Sequence, residues 1–396
     1  MRTRQQTASR SGGPGCVTDR KILFMTVERA LRETTRVDDA LALGWEDLLR
    51  SEDLFLGGNW LRVAQRTAGS PMRYLARLDG DGPDAAPAAA LATALATEKS
   101  PWVLGRPDTL LQFSAEAGRE GAAELLAELP GTPADTLLPS LVCGGRHMGR
   151  SRVLRSPAAG RAAVGELVAR AEEIAAEHAA ASVAFPFVEG GDSVLREVLA
   201  DRGYRAHLSG RYSSLPVTPE GFDGYLRRLS SKRQRRVRTE RRRLVEAGVE
   251  MRTEPLTTEL IPRLGVLEEQ LMAKYGIAWT AAQTEEVLRE TVTHFGGDAV
   301  VMLAIGDGQI RGFGTMLRFR DHWYARQAGF DYGYQQKLAL YFETLYYFPV
   351  EMAAASGITT IHYGLGSEEA KRSRGCVAED QFAYVLRLQP EGTPHD

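Results

Sequence analysis

Apolar positions along this chain fall into short runs whose period switches between that of helix and that of strand. Residues 38–64 set Leu41, Leu43, Trp45, Leu48 and Leu49 roughly on one face, which predicts helix. Residues 72–78 alternate as a strand does, and the polar run GDGPDAAP after them marks a turn. The following AAALATALA suits either a helix or a second strand. Residues 137–154 read as strand, glycine turn and strand, and 158–180 as a helix rich in Ala and Glu. A short buried strand over 182–190 leads to a helix over 192–203, stopped by Gly203, and to another strand from Tyr204.

The second half repeats this logic. A long basic helix over 221–247 is closed by Gly248, then a strand precedes helices at 258–275 and 282–295. Residues 299–330 predict three strands separated by hairpin turns at Asp307-Gly308 and Arg320-Asp321. A helix from Gln335 to Ser356, kinked or restarted at Pro349, is followed by strands at 358–364 and 382–388. Hairpins followed by a crossover helix make each half α/β (α+β), a mixed sheet flanked by helices. Two such halves suggest an internal duplication, with domains 26–215 and 216–396 meeting at Leu215-Pro216.

Composition narrows the class. The chain is 43% hydrophobic and 25% charged, ordinary for a soluble globular protein. No run of about 18 apolar residues predicts a membrane span. Residues 1–25 are basic and polar without the apolar core of a secretory signal, and read as a disordered tail, with Met25 an alternative start. Cys16, Cys143 and Cys376 form no close pair, which argues against a disulfide framework and a structural zinc site and suits a cytoplasmic setting. No metal is expected.

The net charge of −2 says nothing of nucleic acid, but its distribution does. From Arg227 to Arg243, ten of seventeen residues are Lys or Arg and one, Glu240, is acidic. As a helix this sets about nine net charges along about 25 Å, and like charges at such spacing repel. Two readings stand. One is a solvated face whose arginines pair with carboxylates elsewhere. The other is a polyanion contact through Lys232, Arg233, Arg235, Arg236 and Arg238, to tRNA or to the phosphates of coenzyme A, since the guanidinium fork suits phosphate. Only Phe222 and Tyr225 are aromatic nearby, which favours backbone contact over base stacking.

The segment 341–376, YFETLYYFPVEMAAASGITTIHYGLGSEEAKRSRGC, reads as helix, glycine stop, strand, glycine loop and charged loop. A strand leading into Gly364-Leu365-Gly366-Ser367 offers backbone N–H groups at a sheet edge, suited to anionic or polar ligands. Glu343 is the candidate general base or cation-binding carboxylate, against the alternative of a surface helix glutamate. Tyr346 and Tyr347 lie at helical spacing from it, one facing inward, with core packing the alternative. Gly364, Gly366, Glu368, Lys371 and Arg374 are candidates for binding substrate or a terminal phosphate, against a solvated loop. Cys376, beside Arg374, is a lesser candidate for an activated thiol, and His362 reads as structural. No Gly-x-Ser-x-Gly elbow is present.

The blocks LSSKRQRRVRTERRR (229–243) with EAGV (246–249), and FETLYYFPVEMA (342–353) with YGLGSEEAKRSRG (363–375), resemble the FemAB-like, peptidoglycan-biosynthesis-type branch of the GNAT superfamily. The likeness fits across 220–390 and is looser over 30–215. It implies two tandem GNAT-like domains and transfer of an acyl or aminoacyl group to an amine or hydroxylamine, in some relatives from aminoacyl-tRNA, in cell-wall or antibiotic assembly. No cofactor is then required beyond the donor. The chain departs from the acetyltransferase pyrophosphate loop. Its nearest match, 326–331 (RQAGFD), ends in Asp331, where a carboxylate would repel pyrophosphate at a helix N-terminus. That favours aminoacyl-tRNA over acyl-CoA, which remains the alternative donor. A non-catalytic RNA-binding protein on the same fold is the third reading.

Overall fold

The computed structural model describes residues 31–80, 82, 85–101, 105–145, 149–336 and 338–388. The expected tail at 1–25 lies outside them. The described strands are β1 (Leu31–Thr34), β2 (Met72–Leu78), β3 (Pro87–Ala96), β4 (Ser140–Cys143), β5 (Leu154–Arg155), β6 (Ser182–Glu189) and β7 (Arg205–Pro216). They continue as β8 (Glu250–Pro255), β9 (Ala299–Gly306), β10 (Gln309–Phe319), β11 (His322–Phe330), β12 (Thr360–Gly364) and β13 (Val377–Arg387). All thirteen join one mixed sheet in the order β1-β2-β3-β4-β6-β13-β7-β12-β11-β10-β9-β8, with β5 on β3.

Two pairs are parallel, β4 with β6 and β11 with β12, and each pairs over only three residues. β11 then runs on to Phe330 beside β10, while β12 ends at Gly364, so the parallel pair lies open beyond Tyr324 and His362. The halves thus match: four antiparallel strands, then a parallel neighbour. Their final strands are exchanged. β7, from the first half, pairs with β12 of the second, and β13, from the second, pairs with β6 of the first. β7 and β13 pair with each other at the centre. The boundary expected at Leu215-Pro216 falls at the end of β7, yet the chain's last described strand sits between two strands of the first half.

The helices that matter are α1 (Gly58–Thr67), α2 (Arg161–Glu177), α3 (Ser193–Asp201), α4 (Gly221–Arg228), α5 (Ser231–Glu246), α6 (Ile261–Lys274), α7 (Ala281–Phe295), α8 (Phe348–Ala355) and α9 (Glu368–Arg372). α2 crosses between β4 and β6 and buries Val164, Leu167, Val168 and Ile174. α8 does the same between β11 and β12, burying Val350 and Ala353. On another face α1 and α7 share one core, joining Trp60, Leu61 and Tyr74 to Leu264, Leu288 and Tyr324. The halves are therefore welded by a common apolar interior as well as by strand pairing.

Several expectations are corrected. Residues 38–64 are not one helix: Val37–Ala42 stops before Gly44, whose φ of 86° is left-handed, and two 3-10 turns precede α1. AAALATALA is strand β3, buried on both faces, so it lacks the alternation that would have marked it. The basic helix divides in two, because Leu229 is extended and the Ser230 hydroxyl accepts from Arg233 N–H, capping α5. The helix expected from Gln335 begins only at Leu340 and contains a π turn, Glu343–Tyr347, ahead of Pro349. Proline has no N–H for the carbonyl four residues back, so the wider turn relieves the missing bond. β13 begins five residues earlier than the apolar pattern shows, at Val377, because its first four residues are exposed.

Candidate active site

α5 buries Val237, Glu240 and Leu244, one stripe at helical spacing, and turns its cations outward. Among the described residues Arg227, Arg236, Arg241 and Arg242 form ion pairs, while Arg228, Lys232, Arg233, Arg235, Arg238 and Arg243 form none. A cleft of about 500 Å³ opens beside this face, lined by Arg235, Arg236, Glu240, Arg243, Gln336 and Phe342 among others.

Glu240 is the single acidic member of the basic run and the one that faces inward. One carboxylate oxygen accepts from Arg236 Nε at 2.7 Å, and the other accepts from the Tyr347 hydroxyl at 2.6 Å. Arg374 Nε donates to the same hydroxyl at 3.3 Å. The Arg374 guanidinium lies 3.3 Å over the Phe342 ring, and its Nη2 is buried without a hydrogen bond, 3.7 Å from Glu240. Burial first, then the Glu240 contact, pushes the Tyr347 phenol above its ordinary range, so it stays neutral. A carboxylate, a neutral hydroxyl and an underused guanidinium thus form a chain ending at a cation-lined cleft. Such a chain can hold an anion at the rim, accept a proton and keep the carboxylate fixed.

Of the expected catalytic groups, Tyr347 belongs to this chain. Tyr346 packs in the core, stacked on Tyr363 at 4.6 Å. Glu343 is no surface residue, at 2% exposure. Arg241 Nε donates to both of its oxygens, at 3.0 and 3.2 Å, while Arg241 Nη2 reaches Glu351 at 2.6 Å. Burial raises the Glu343 pKa to about 7 against the pull of Arg241. Glu343 ties α5 to the π turn ahead of α8, and is not among the residues lining the cleft.

The loop after β12 also divides. Lys371, 5% exposed, donates all three N–H bonds to the carbonyls of Tyr363, Gly364 and Leu365, at 2.8, 2.8 and 2.6 Å. Burial lowers its pKa to about 8, and the three carbonyls hold the ammonium at neutral pH. Gly364 and Gly366 take left-handed φ values of 62° and 75°, which let the chain fold over that ammonium. Glu368 lies 3.5 Å from Arg211 and 3.8 Å from Arg119, both of the first half. Only Arg374 of this set reaches the cleft's chain. Lys232, Arg235, Arg236 and Arg238 are exposed and Arg233 half-buried, with Arg235 and Arg236 at the cleft itself. Burial pushes the Cys376 thiol up to about 12, the reverse of activation.

Residues 326–331, the nearest match to an acetyltransferase pyrophosphate loop, end in a carboxylate that is already paired. Asp331 accepts from Tyr334 N–H at 3.0 Å and pairs with Arg311 at 2.9 Å and Arg263 at 3.5 Å. Burial works against ionisation there, but the backbone donor and Arg311 hold the carboxyl below its ordinary range. Gly329 serves packing instead, since a Cβ on it would overlap the Leu267–Glu268 backbone of α6. Glu240 was within reach of sequence reasoning: a lone acid in a basic run, four residues after Arg236, marks an inward position.

No helix among the described residues is long and apolar enough to cross a membrane, and no His, Cys, Asp or Glu cluster among them is fit for a metal ion. The fold is similar to that of FemX, with a TM-score of 0.58 at 11% identity over 90% of this chain and 97% of that one. It is similar to a tandem GNAT protein from the clavulanic acid biosynthesis pathway, with a TM-score of 0.50 at 14% identity over 91% of this chain and 100% of that one. It also matches the C-terminal DUF2156 domain of a protein assigned as a lysylphosphatidylglycerol synthetase from Agrobacterium fabrum, with a TM-score of 0.51 at 11% identity over 88% and 92% of the two chains. At such identities these likenesses carry the fold alone, a tandem GNAT-like one. No curated protein sequence matches the chain. The model of the FemAB-like family, described as peptidoglycan biosynthesis and recognition, matches residues 147–391, and the chain belongs to that family.

Proposed function

We propose that the protein, an acyltransferase by family, moves an aminoacyl group from aminoacyl-tRNA to an amine or hydroxylamine acceptor in cell-wall or specialised-metabolite assembly. The observation that carries this reading is the cleft between the unpaired arginines of α5 and the buried Glu240–Tyr347–Arg374 chain. Arg235, Arg238 and Arg243 hold backbone phosphates of the tRNA end. The acceptor attacks as the neutral amine, its ammonium proton given up to solvent. As its nitrogen forms the C–N bond to the ester carbonyl, Glu240, which faces the cleft, takes a further proton from that nitrogen and passes it to the ribose oxygen as the C–O bond breaks, leaving a neutral amide. Arg374 and Tyr347 are positioning residues that hold the Glu240 carboxylate oriented. A carboxylate, Asp331, at the end of the nearest match to a pyrophosphate loop supports tRNA over coenzyme A as donor.

The test is fluorescence anisotropy of labelled tRNA over a salt series. Wild-type affinity should fall steeply with salt. Arg235→Ala with Arg236→Ala should weaken binding at low salt and flatten the log–log slope by about 0.9 per lost phosphate contact. Tight coenzyme A binding without RNA affinity would overturn the reading.

A further inference from the structure

The strand β12 divides the molecule into two chemical faces. Ile361 and Tyr363 point to the core beneath α8. Thr360 and His362 point the other way, into a second cleft of about 750 Å³ that also meets β7, β11 and β13. None of the residues assigned above to the arginine cleft lines it.

Two buried side chains of this second cleft, Arg150 and His362, carry nitrogens with no hydrogen bond. Arg150, 6% exposed, lies 4.3 Å over the Tyr212 ring, and its Nε and Nη1 are buried without a hydrogen bond. Nη1 is 2.9 Å from Glu189 Oε1, but the pair is out of hydrogen-bond alignment, and that oxygen is itself unsatisfied. The other oxygen of Glu189 is taken by Arg152, which also binds Asp53 at 2.7 Å. His362, 3% exposed, is stacked on Tyr324 at 4.3 Å, with its Nε2 2.9 Å from His322 Nδ1. Burial, with Arg150 next, presses the His362 pKa down to about 2, so the ring is neutral. When His322 donates, the other ring nitrogen of His362, Nδ1, carries the proton, and that nitrogen is buried without a hydrogen bond. Buried donors left short of hydrogen bonds are costly.

The rim has the opposite character. Glu52, half-buried, and Glu379, exposed, line the same cleft, and neither forms an ion pair among the described residues. Glu189 beside Arg150 also makes the interior a poor place for a dianion such as phosphate. Donors inside and free carboxylates at the rim call for a ligand with one carboxylate and one ammonium group. We propose that this cleft binds a small zwitterion, an amino acid or short peptide, its carboxylate on Arg150 and His362 and its ammonium on Glu52 and Glu379. The inference does not depend on which donor the arginine cleft takes.

The experiment screens the full chain by thermal shift and titration calorimetry against the protein L-amino acids and alanyl-alanine, singly at millimolar concentration. At least one should bind. Its N-acetyl and its amide derivatives, each lacking one charge, should bind about ten-fold more weakly or worse. Arg150→Gln should abolish binding, and Glu379→Gln, at an exposed position that leaves folding intact, should weaken it several-fold. The tRNA affinity of both variants, read in parallel, should stay at the wild-type value. The inference is overturned if none of these zwitterions binds, if the N-acetyl derivative binds as well as its parent, or if binding survives both substitutions.

Discussion

The two crossover helices occupy matching places and bury different things. α2, between β4 and β6, buries alanine, valine, leucine and isoleucine. α8 and its π turn, between β11 and β12, bury Glu343, Tyr346 and Tyr347 as well. The first helix is a lid on a sheet. The second is a lid with polar groups beneath it, held by a basic helix that has no counterpart among the described residues of the first half. The same scaffold becomes a candidate active site where its crossover helix must satisfy buried carboxylates and hydroxyls. Those groups in turn require Arg241, Arg236 and Arg374.

The comparison breaks most severely if the halves are parted. Ending the chain after Gly375 removes β13, leaves β6 and β7 without their central partner and exposes both edges. That variant should lose cooperative unfolding altogether, read by calorimetry. A normal transition would show that the exchange of strands is not what joins the halves. Next in size is Glu240→Gln, which should lower kcat by about 10²–10⁴-fold, as loss of a general base does, with tRNA affinity kept. An equal loss in tRNA affinity would make Glu240 an organiser of α5 only.

Lys371→Met sharpens the contrast between the turns that follow β6 and β12. The first is held by Asp192, which caps α3 and pairs with Arg155 at 2.8 Å. The second is held by one buried ammonium. Its loss should cost about 2–4 kcal/mol in urea unfolding, since three carbonyls lose their donor. A change under about 0.5 kcal/mol, the range of surface substitutions, would mean water replaces the amine. The smallest effect belongs to Glu343. Its folded pKa of about 7 lies above the ordinary 4.5, so its contribution is fullest below about 4.5 and is lost as pH rises through 7. Glu343→Gln should flatten that part of the Tm profile. Parallel profiles for variant and wild type would show that Arg241 keeps the carboxylate ionised throughout.

Most strands and helices were legible because their periods are local. The hairpins of 299–330 and the helices ending at Gly203 and Gly248 announce themselves in residues close in sequence. The exchange of β7 and β13 was not legible, since an apolar strand does not say which neighbour it takes. Part of the site shared that limit. The block from Glu343 to Arg374 supplies Tyr347 and Arg374 to the candidate site. Which acid faced the cleft depended on packing between α5 and the π turn before α8, over a hundred residues apart in sequence. The histidine and arginine of the second cleft, His362 and Arg150, carry no pattern linking them, and only the sheet order brings them together.

The exchanged strands also bear on the order in which the molecule comes into being. β7 ends at Pro216 and its central partner begins at Val377, so the whole second repeat is translated in between. A nascent first repeat therefore waits at the ribosome with two unfilled sheet edges. It completes its hydrogen bonding only when β13 emerges, so one strand that follows the second repeat seals both halves at once.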